Sequence, residues 1–407
     1  MIQLSNLKRI ADHGEVKVVC DISSEYAGEG QLWFSVADSF GDWMTSDVYD
    51  AFLVAVVYPA MYYGEDITVE GNVSKKLHFN ICNYVMAIVS AYTQFAKKGI
   101  FKSVNISVKG YANAEKALKL HVGTGFSGGV DSFSTITDRY SNTDDLEYKI
   151  DSLFFFNVGQ YGNVKNPLSQ ERARNRFVIT ENFAKEMDVP AIFMHTNLFD
   201  YYLPEWEYSG GLLVRIASVL VFQRGLRRYY ISNAITYAER IQLINHVNPD
   251  MAEFADPYMM PLLSPEGLDI LDDGEPYLRT EKVARIANNP LAWKYLNVCV
   301  NSADNHTVAK NCGYCSKCLR TLLALDTLDA LDKFSEVFNI TDWRKRANEY
   351  KSWCVRNYDK NEFAKDNVEF ALAHGKVMPT KIKARIVYFK YNWKSIIYNA
   401  IVPLLKK

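Results

Sequence analysis

From about residue 116 onward, short apolar segments alternate with helical patterns, which predicts an α/β fold with a doubly wound parallel sheet. The segment Leu153 to Val158 (LFFFNV) is continuously apolar, as expected of a parallel strand covered on both faces. At Leu118 to Ser134 a strand pattern, a glycine-rich loop and a helical pattern follow one another, which predicts the first βα turn. Ligands bind at the carboxyl ends of such strands, so functional residues are expected there.

The predicted elements are short and regularly spaced. Strands are expected at Leu118 to Gly125, Leu153 to Val158, Ala191 to His195 and Tyr229 to Ser232, and helices at Val130 to Arg139, Gln170 to Met187 and Gly211 to Arg224. Residues 241 to 280 contain several prolines and the acidic stretch Asp269 to Glu275, so we expect long loops there. Glu281 to Asn288 is predicted to be a short helix before a cysteine-rich segment.

Two further regions flank this α/β domain of residues 116–325. Residues 1–115 are predicted to form an N-terminal α+β accessory domain. Its strands are expected at Val16 to Ile22, Gln31 to Val36, Ile67 to Glu70 and Val104 to Val108, and its helices at Val48 to Tyr63 and Lys75 to Lys98. Residues 326–407 are predicted to form a helical C-terminal extension, in which Ile382 to Lys407 is an amphipathic tail with a solvated basic face.

The composition of the 407 residues narrows the class of protein. A net charge of −1 provides no general field for nucleic acid or for an anionic membrane. The first thirty residues carry no secretory signal pattern, and the longest apolar runs are too short to span a bilayer. We therefore expect a cytoplasmic protein without a membrane span and without direct nucleic-acid binding.

The glycine-rich loop fits three kinds of phosphate site. Gly123 to Gly128 (GTGFSG) matches the dinucleotide pattern G-x-G-x-x-G, with Asp144 and Asp145 at a suitable distance, although the pattern is weak alone and Asp131 would face the pyrophosphate. A Walker-type loop is excluded because no Gly-Lys-Ser/Thr follows. The third interpretation takes Ser127 to Ser132 (SGGVDS) as one unit that grips pyrophosphate.

The physical chemistry of SGGVDS supports this third interpretation. Glycines permit positive φ and close backbone approach, and serine hydroxyls, backbone N–H groups and the helix start favour phosphate oxygens. Asp131 is expected either to cap the helix or to bind Mg²⁺.

Four of the seven cysteines lie within twenty residues, at Cys299, Cys312, Cys315 and Cys318. Four thiolates satisfy tetrahedral Zn²⁺ and leave no open position, so a structural zinc site is predicted. An iron–sulfur cluster and a redox thiol pair are the alternatives. His306 lies in the intervening loop and is expected to be solvated.

These two motifs together resemble one family. SGGVDS matches the loop of the PP-loop ATP pyrophosphatase superfamily, and Cys299 with Cys312-Gly-Tyr-Cys-Ser-Lys-Cys318 and Arg320 resembles the zinc segment of the 7-cyano-7-deazaguanine synthases, or QueC-like enzymes. The resemblance covers residues 118 to 325 and implies an adenine nucleotide alpha hydrolase-like fold of the HUP type. It also includes Asn157 to Gln160 and Thr280 to Lys282, which look like family segments.

The resemblance assigns roles residue by residue. It implies that Ser127, Gly128, Gly129 and Ser132 hold the pyrophosphate of ATP and that Asp131 helps to place Mg²⁺. Lys282 is the candidate cation for charge that develops at the α-phosphate. The nucleotide site implied by the resemblance is lined by Phe126, Val130, Asn157, Gly159, Gln160 and Asn233.

The resemblance leaves the substrate open. The family's substrate loop corresponds to Asn233 to Phe254, where only Pro249-Asp250 is kept, and about ten residues are inserted at Tyr161 to Gln170. QueC-like proteins with added domains are known from antiphage operons of the type IV CBASS and Qat systems. We expect an AMP-forming ligase or amidase that uses ATP, Mg²⁺ and Zn²⁺ to join a carboxylate to ammonia or to an amine of a small molecule or protein. The alternatives are a nucleotide-binding scaffold in a defence complex, an amidotransferase for surface polysaccharide sugars and a dinucleotide oxidoreductase; a homodimer is left open.

Overall fold

The computed structural model describes residues 1–95, 101–162, 165–198, 211–245, 255–299 and 307–390. The chain divides into two compact units. The first unit comprises residues 1–127 and 138–275, and the second comprises residues 128–137 and 276–407. The division therefore does not follow the boundaries expected near residues 115 and 325, and it passes through the predicted phosphate loop.

The first unit contains a mixed sheet in which ten strands are described. The strands are β1 (Ile2–Asp12), β2 (Glu15–Ser24), β3 (Gly28–Ala37), β4 (Ile67–Val73), β5 (Ile106–Tyr111), β6 (His121–Gly125), β7 (Ser152–Asn157), β8 (Ala191–Thr196), β9 (Leu226–Ser232) and β10 (Asp269–Asp273). Their order is β10-β9-β6-β7-β8-β3-β2-β1-β4-β5. The α/β character expected from the sequence is confirmed, and most of the strand pairs are parallel.

The last five strands have the order of a doubly wound sheet. The pairs β10–β9, β9–β6, β6–β7 and β7–β8 are all parallel. The chain starts in the middle with β6, proceeds outward through β7 and β8, and returns to the other side with β9 and β10. In such a sheet the switch point lies between the first and fourth strands of the series, here β6 and β9.

The N-terminal region adds strands to the same sheet. Phe34 to Val36 of β3 pair antiparallel with Met194 to Thr196 of β8, so the sheet is continuous through both predicted domains. Strand β1 was not predicted, because only its first residues alternate between buried and exposed and the rest face solvent. It pairs antiparallel with β2 and parallel with β4.

Two sequence expectations about strands are wrong. Residues 241 to 280 were expected to form loops, but Asp269–Asp273 is the edge strand β10, whose Ile270 is fully buried. The first strand of the α/β series begins at His121 rather than at Leu118, and the Leu118 side chain is fully exposed.

Helices and an apolar core complete the first unit. The helices are α1 (Asp50–Tyr63), α2 (Lys75–Asn80), α3 (Met86–Phe95), α5 (Pro167–Glu186), α6 (Gly211–Leu220), α7 (Tyr237–Asn245) and α8 (Asp256–Leu262), with α4 belonging to the second unit. Helix α1 is buried along most of its length, as its continuous apolar sequence requires. The predicted long helix from Lys75 is interrupted by a π-helical segment, Ile81–Val85, and residues 96–98 of that prediction lie outside the described residues.

The second unit is helical in its described part. It contains α4 (Val130–Ile136), α9 (Arg279–Ile286), α10 (Pro290–Tyr295), α11 (Ser316–Thr327), α12 (Ile340–Arg356) and α13 (Glu362–Ala373). Helix formation from residue 326 onward is confirmed as far as residue 390. Among the described helices, none has both the length and the apolar character needed to cross a bilayer.

Candidate functional site

Only part of the predicted glycine loop is a loop. Gly123 and Gly125 lie within β6, and a Cβ on Gly123 would approach the Phe154 ring to 2.6 Å. Gly123 is therefore required for packing within the sheet. In the dinucleotide motif the first glycine makes the tight turn after the strand, so this position of Gly123 disfavours the dinucleotide interpretation.

The turn itself is made by Gly128, which has a φ of +75°. Its carbonyl accepts a hydrogen bond from the N–H of Asn297, and a Cβ at Gly128 would lie 3.2 Å from both the Tyr295 carbonyl and the Asn297 Cβ. Glycine is thus required both by conformation and by close packing. The buried Asn297 side chain finds no hydrogen-bond partner for its amide atoms among the described residues.

Helix α4 follows this turn, with Gly129 at its N-cap. The Ser132 hydroxyl is buried and donates to the Gly129 carbonyl at 2.9 Å. Val130 is also buried, as is expected of the first apolar residue of the helix. Asp131 does not cap α4, so that alternative is wrong; the Asp131 carboxylate points elsewhere.

Two cations of α9 face the Asp131 carboxylate. Arg279 Nη1 donates to Asp131 Oδ2 at 2.7 Å, and Lys282 Nζ lies 3.6 Å from Asp131 Oδ1. The Lys282 side chain has 0% exposure and that of Arg279 has 9%, so both charges are removed from bulk water. Burying such charges is costly unless they are paired, and one carboxylate is shared between them.

A third cation, Arg320, lies on α11. Burial and the neighbouring charge of Arg279 lower the pKa of Arg320 to about 10, and the Asp131 carboxylate opposes this effect. The guanidinium of Arg320 also lies 3.9 Å from the centre of the Phe363 ring. We call Arg279, Lys282 and Arg320, together with Asp131, the cation cluster.

The second unit also brings the predicted cysteines together. The sulfur atoms of Cys299, Cys312, Cys315 and Cys318 all lie within 4.8 Å of one another. The Cys312–Cys318 and Cys315–Cys318 sulfur pairs are separated by 3.8 and 3.4 Å. Tetrahedral zinc–thiolate bonds of about 2.3 Å place sulfur atoms about 3.8 Å apart, so the donor set fits a zinc-sized ion. Burial raises the pKa of the Cys318 thiol, an effect that a coordinated metal would overcome.

Asn311 holds the two cysteine segments together. Its Oδ1 accepts hydrogen bonds from the N–H groups of Val298 and Cys299, at 2.8 and 3.1 Å. Its Nδ2 donates to the carbonyls of Leu296 and Val337. Helix α11 begins directly after Cys315 and carries Cys318 in its first turn and Arg320 in the next. The cysteine cluster therefore anchors the helix that supplies one member of the cation cluster.

The other predicted site residues belong to the first unit. Phe126 is a core residue whose ring stacks on Phe183 at 3.9 Å, and its carbonyl accepts from the Thr180 hydroxyl. Ser127, the last residue before the division, is exposed. The packing of Phe126 fixes the end of β6 within the first unit.

At the end of β7, the residues predicted to contact the nucleoside form a turn that is held by hydrogen bonds within itself. Gln160 donates to the Phe156 carbonyl and accepts from the Val158 N–H, while Gly159 has a φ of +105°. The buried Asn157 Oδ1 has no hydrogen-bond partner within the described ranges. The Gln160 amide thus shapes the turn, and Asn157 retains an open acceptor.

At the end of β9, Asn233 belongs to a network that we call the strand-end cluster. Its Nδ2 bonds Asp272 Oδ2 and lies 3.4 Å from Glu275, and Arg240 donates to the same Asp272 oxygen at 2.8 Å. Burial and the neighbouring Glu275 raise the pKa of Asp272 to about 8. The substrate-loop residues Pro249-Asp250 lie outside the described residues.

Several of these residues were not predicted as functional from the sequence. Arg279 directly precedes the singled-out segment Thr280 to Lys282, and its contact with Asp131 spans 148 residues of chain. Asn297 sits in a stretch without a motif, Asn311 directly precedes the cysteine motif, and Asp272 lies in the acidic stretch that was expected to be a loop. The clearest signal available beforehand was helical spacing, since Arg279 and Lys282 lie three residues apart and so share one face of α9.

Comparisons with protein-family models, with curated proteins and with solved structures yield no match for this chain.

Proposed function

We propose that the protein is an ATP-dependent ligase that forms AMP and pyrophosphate while it joins a carboxylate to ammonia or to an amine. The observation that carries the proposal is the cation cluster beside the Gly128 turn, with Lys282 and Arg279 buried against Asp131. Buried cationic side chains next to a tight glycine turn are suited to a polyanion. The SGGVDS sequence and the cysteine segment resemble the QueC-like enzymes, in which that anion is the pyrophosphate of ATP.

The reaction proposed has two balanced steps. A substrate carboxylate oxygen attacks the α-phosphorus of ATP, the bond from that phosphorus to the pyrophosphate oxygen breaks, and an acyl adenylate forms. An amine nitrogen then attacks the acyl carbon, AMP leaves, and the amine loses a proton to solvent. In this scheme Ser127, Gly128, Gly129 and Ser132 bind pyrophosphate, and Lys282 and Arg279 stabilise the negative charge that develops during the first step.

The arrangement of Asp131 favours a positioning role over a metal ligand. Its two oxygens face Arg279 and Lys282, so the carboxylate holds both side chains in place in the absence of nucleotide. Mg²⁺ is therefore expected to accompany the phosphates of ATP, not to bind to this carboxylate. The four cysteines would hold a structural Zn²⁺, which supplies no open coordination position.

The proposal includes the finer expectations drawn from the resemblance. The parallel half of the sheet is proposed to be of the HUP type, with the nucleoside near Asn157, Gly159 and Gln160. A cytoplasmic location and a role in antiphage defence belong to the same proposal. The nucleotide-binding scaffold remains the alternative that the experiment must separate from the ligase.

The direct test incubates the protein with ATP, Mg²⁺, a panel of carboxylates and ammonium or an amine, and measures pyrophosphate and AMP. We expect both products in equal amounts with the correct carboxylate, and their loss in Asp131→Ala. The matched control is Asp332→Ala, an exposed aspartate that should retain activity. Tight ATP binding without AMP formation across a broad panel would instead support the scaffold.

A further inference from the structure

We propose that helix α13 of the C-terminal extension positions the cation cluster, with Asp366 and Phe363 as its positioning residues. The inference rests on the anion-binding role proposed above for Arg279, Lys282 and Arg320. The sequence analysis assigns no function to residues 326–407, and the housekeeping 7-cyano-7-deazaguanine synthases have no counterpart of this region. Two contacts, one helical turn apart on α13, connect it to two different helices that carry the cations.

The first contact fixes the start of α9. The Thr280 N–H donates to Asp366 Oδ2 at 3.1 Å, and the Thr280 hydroxyl donates to Asp366 Oδ1 at 2.6 Å. Both side chains are buried. The first N–H groups of a helix have no partner within the helix, and a carboxylate that accepts from them stabilises the first turn. That first turn is the one that carries Arg279 and Lys282.

The second contact orients Arg320 on α11. Its guanidinium lies 3.9 Å from the centre of the Phe363 ring, a distance that suits a cation–π interaction. Phe363 and Asp366 lie three residues apart and therefore share one face of α13. One face of the extension thus supports two of the helices that surround Asp131. The extension is accordingly part of the anion site, although it contributes none of the proposed phosphate-binding residues.

The first experiment measures whether Lys282 stays buried, which does not depend on any ligand. The full-length protein is treated briefly with acetic anhydride, and acetylation of Lys282 is measured by peptide mass spectrometry against the exposed Lys345 as reference. Loss of a helix cap raises the population of the locally opened state by about 5- to 30-fold. We therefore expect Asp366→Asn and Thr280→Val each to raise Lys282 acetylation by about tenfold.

The control is another helix cap in the same unit. Asn339 accepts from the Asp342 N–H at the start of α12, which carries none of the proposed cations. Asn339→Ala should lower the Tm by a similar amount but leave Lys282 acetylation unchanged. Equal acetylation in wild type, Asp366→Asn and Thr280→Val would overturn the inference, as would an equal increase in Asn339→Ala.

The second experiment measures binding of inorganic pyrophosphate by calorimetry. We expect Asp366→Asn to weaken binding about tenfold and Asn339→Ala to leave it unchanged. If Lys282 becomes reactive in Asp366→Asn while wild type binds neither pyrophosphate nor ATP, the positioning role stands and the proposed function fails. If wild type binds pyrophosphate and Asp366→Asn binds it equally well, with Lys282 still protected, the positioning role fails and the proposed function stands.

Discussion

The cation cluster groups three cations around one carboxylate, whereas the strand-end cluster groups two carboxylates around one cation. In the first, Arg279, Lys282 and Arg320 surround Asp131, whereas in the second Asp272 and Glu275 share Arg240 and Asn233. A buried carboxylate can neutralise itself by taking up a proton, and the raised pKa of Asp272 shows this response. An arginine has no comparable route near neutral pH, because even the lowered pKa of Arg320 is about 10.

The comparison shows that the two clusters offset their buried charge by different means. The strand-end cluster offsets its carboxylates with one proton, with Arg240 and with hydrogen bonds from Asn233. The three cations of the cation cluster stay charged near neutral pH, and the Asp131 carboxylate contacts two of them. The cation cluster is the one at which we propose that an anion binds, and the following changes test that distinction in order of expected effect.

The largest effect is expected from removing the metal site. Cys318→Ser should lose the bound metal and lower the stability of the second unit greatly, since binding of structural zinc contributes about 10 kcal/mol in small domains. Metal analysis should find one zinc per chain in wild type and none in the variant. The exposed Cys82, outside the cluster, provides the control Cys82→Ser. Equal metal content in both variants would exclude the cysteine cluster, and iron in wild type would replace zinc in the assignment.

The next effect tests the cation cluster itself. Lys282→Met keeps an apolar stem in a fully buried position and removes the charge that faces Asp131. Removal of one such electrostatic contact typically lowers turnover by about 100- to 1000-fold, so AMP formation should fall by that factor. Lys345→Met, an exposed lysine of the same unit, should keep full activity. Unchanged turnover in Lys282→Met, with the protein folded, would contradict the role given to this lysine.

The part of the site that could be predicted is the part that is local in sequence. The cysteine spacing occupies one short stretch, and the structure confirms that the four thiols come together, whereas the phosphate-binding role of Ser127 to Ser132 stays a prediction. Arg279 reaches Asp131 only because α9 and α4 pack together, and nothing in the flanking sequence specifies that packing. Asn297 and Asp366 were missed for the same reason.

The fold was predictable to a similar degree. The apolar run of β7 identified a buried parallel strand, but DILDD of β10 resembled an acidic loop because Ile270 is its one buried apolar side chain. Its aspartates are tolerated because Arg139 and Arg240 bond Asp273 and Asp272 from other elements. Sequence periodicity does not reveal such partners.

A smaller effect is expected from the strand-end cluster. Native Asp272 holds its proton up to a pKa of about 8, whereas the unfolded chain releases it near the ordinary value of 3.8. Its stabilising contribution is therefore present at low pH and is lost as the pH rises through this window. Asp272→Asn, which imitates the protonated form, should flatten the dependence of Tm on pH and gain about 1–2 kcal/mol over wild type near pH 8. The control is Asp269→Asn, at an exposed position of the same strand, which should retain the wild-type dependence of Tm on pH. A wild-type dependence in Asp272→Asn as well would show that Asp272 holds no proton in the native protein.

The smallest effect separates charge from its orientation within the cation cluster. Phe363→Leu keeps an apolar side chain but removes the ring beneath Arg320. A cation–π contact of about 1 kcal/mol corresponds to about a fivefold change in binding, so pyrophosphate affinity should fall by that factor while Arg320 keeps its charge. Phe370→Leu provides the control, because this ring lies on the same helix but contacts His374. Equal affinity in the two variants would mean that Arg320 is held by its burial alone, and the support from α13 would then act through Asp366.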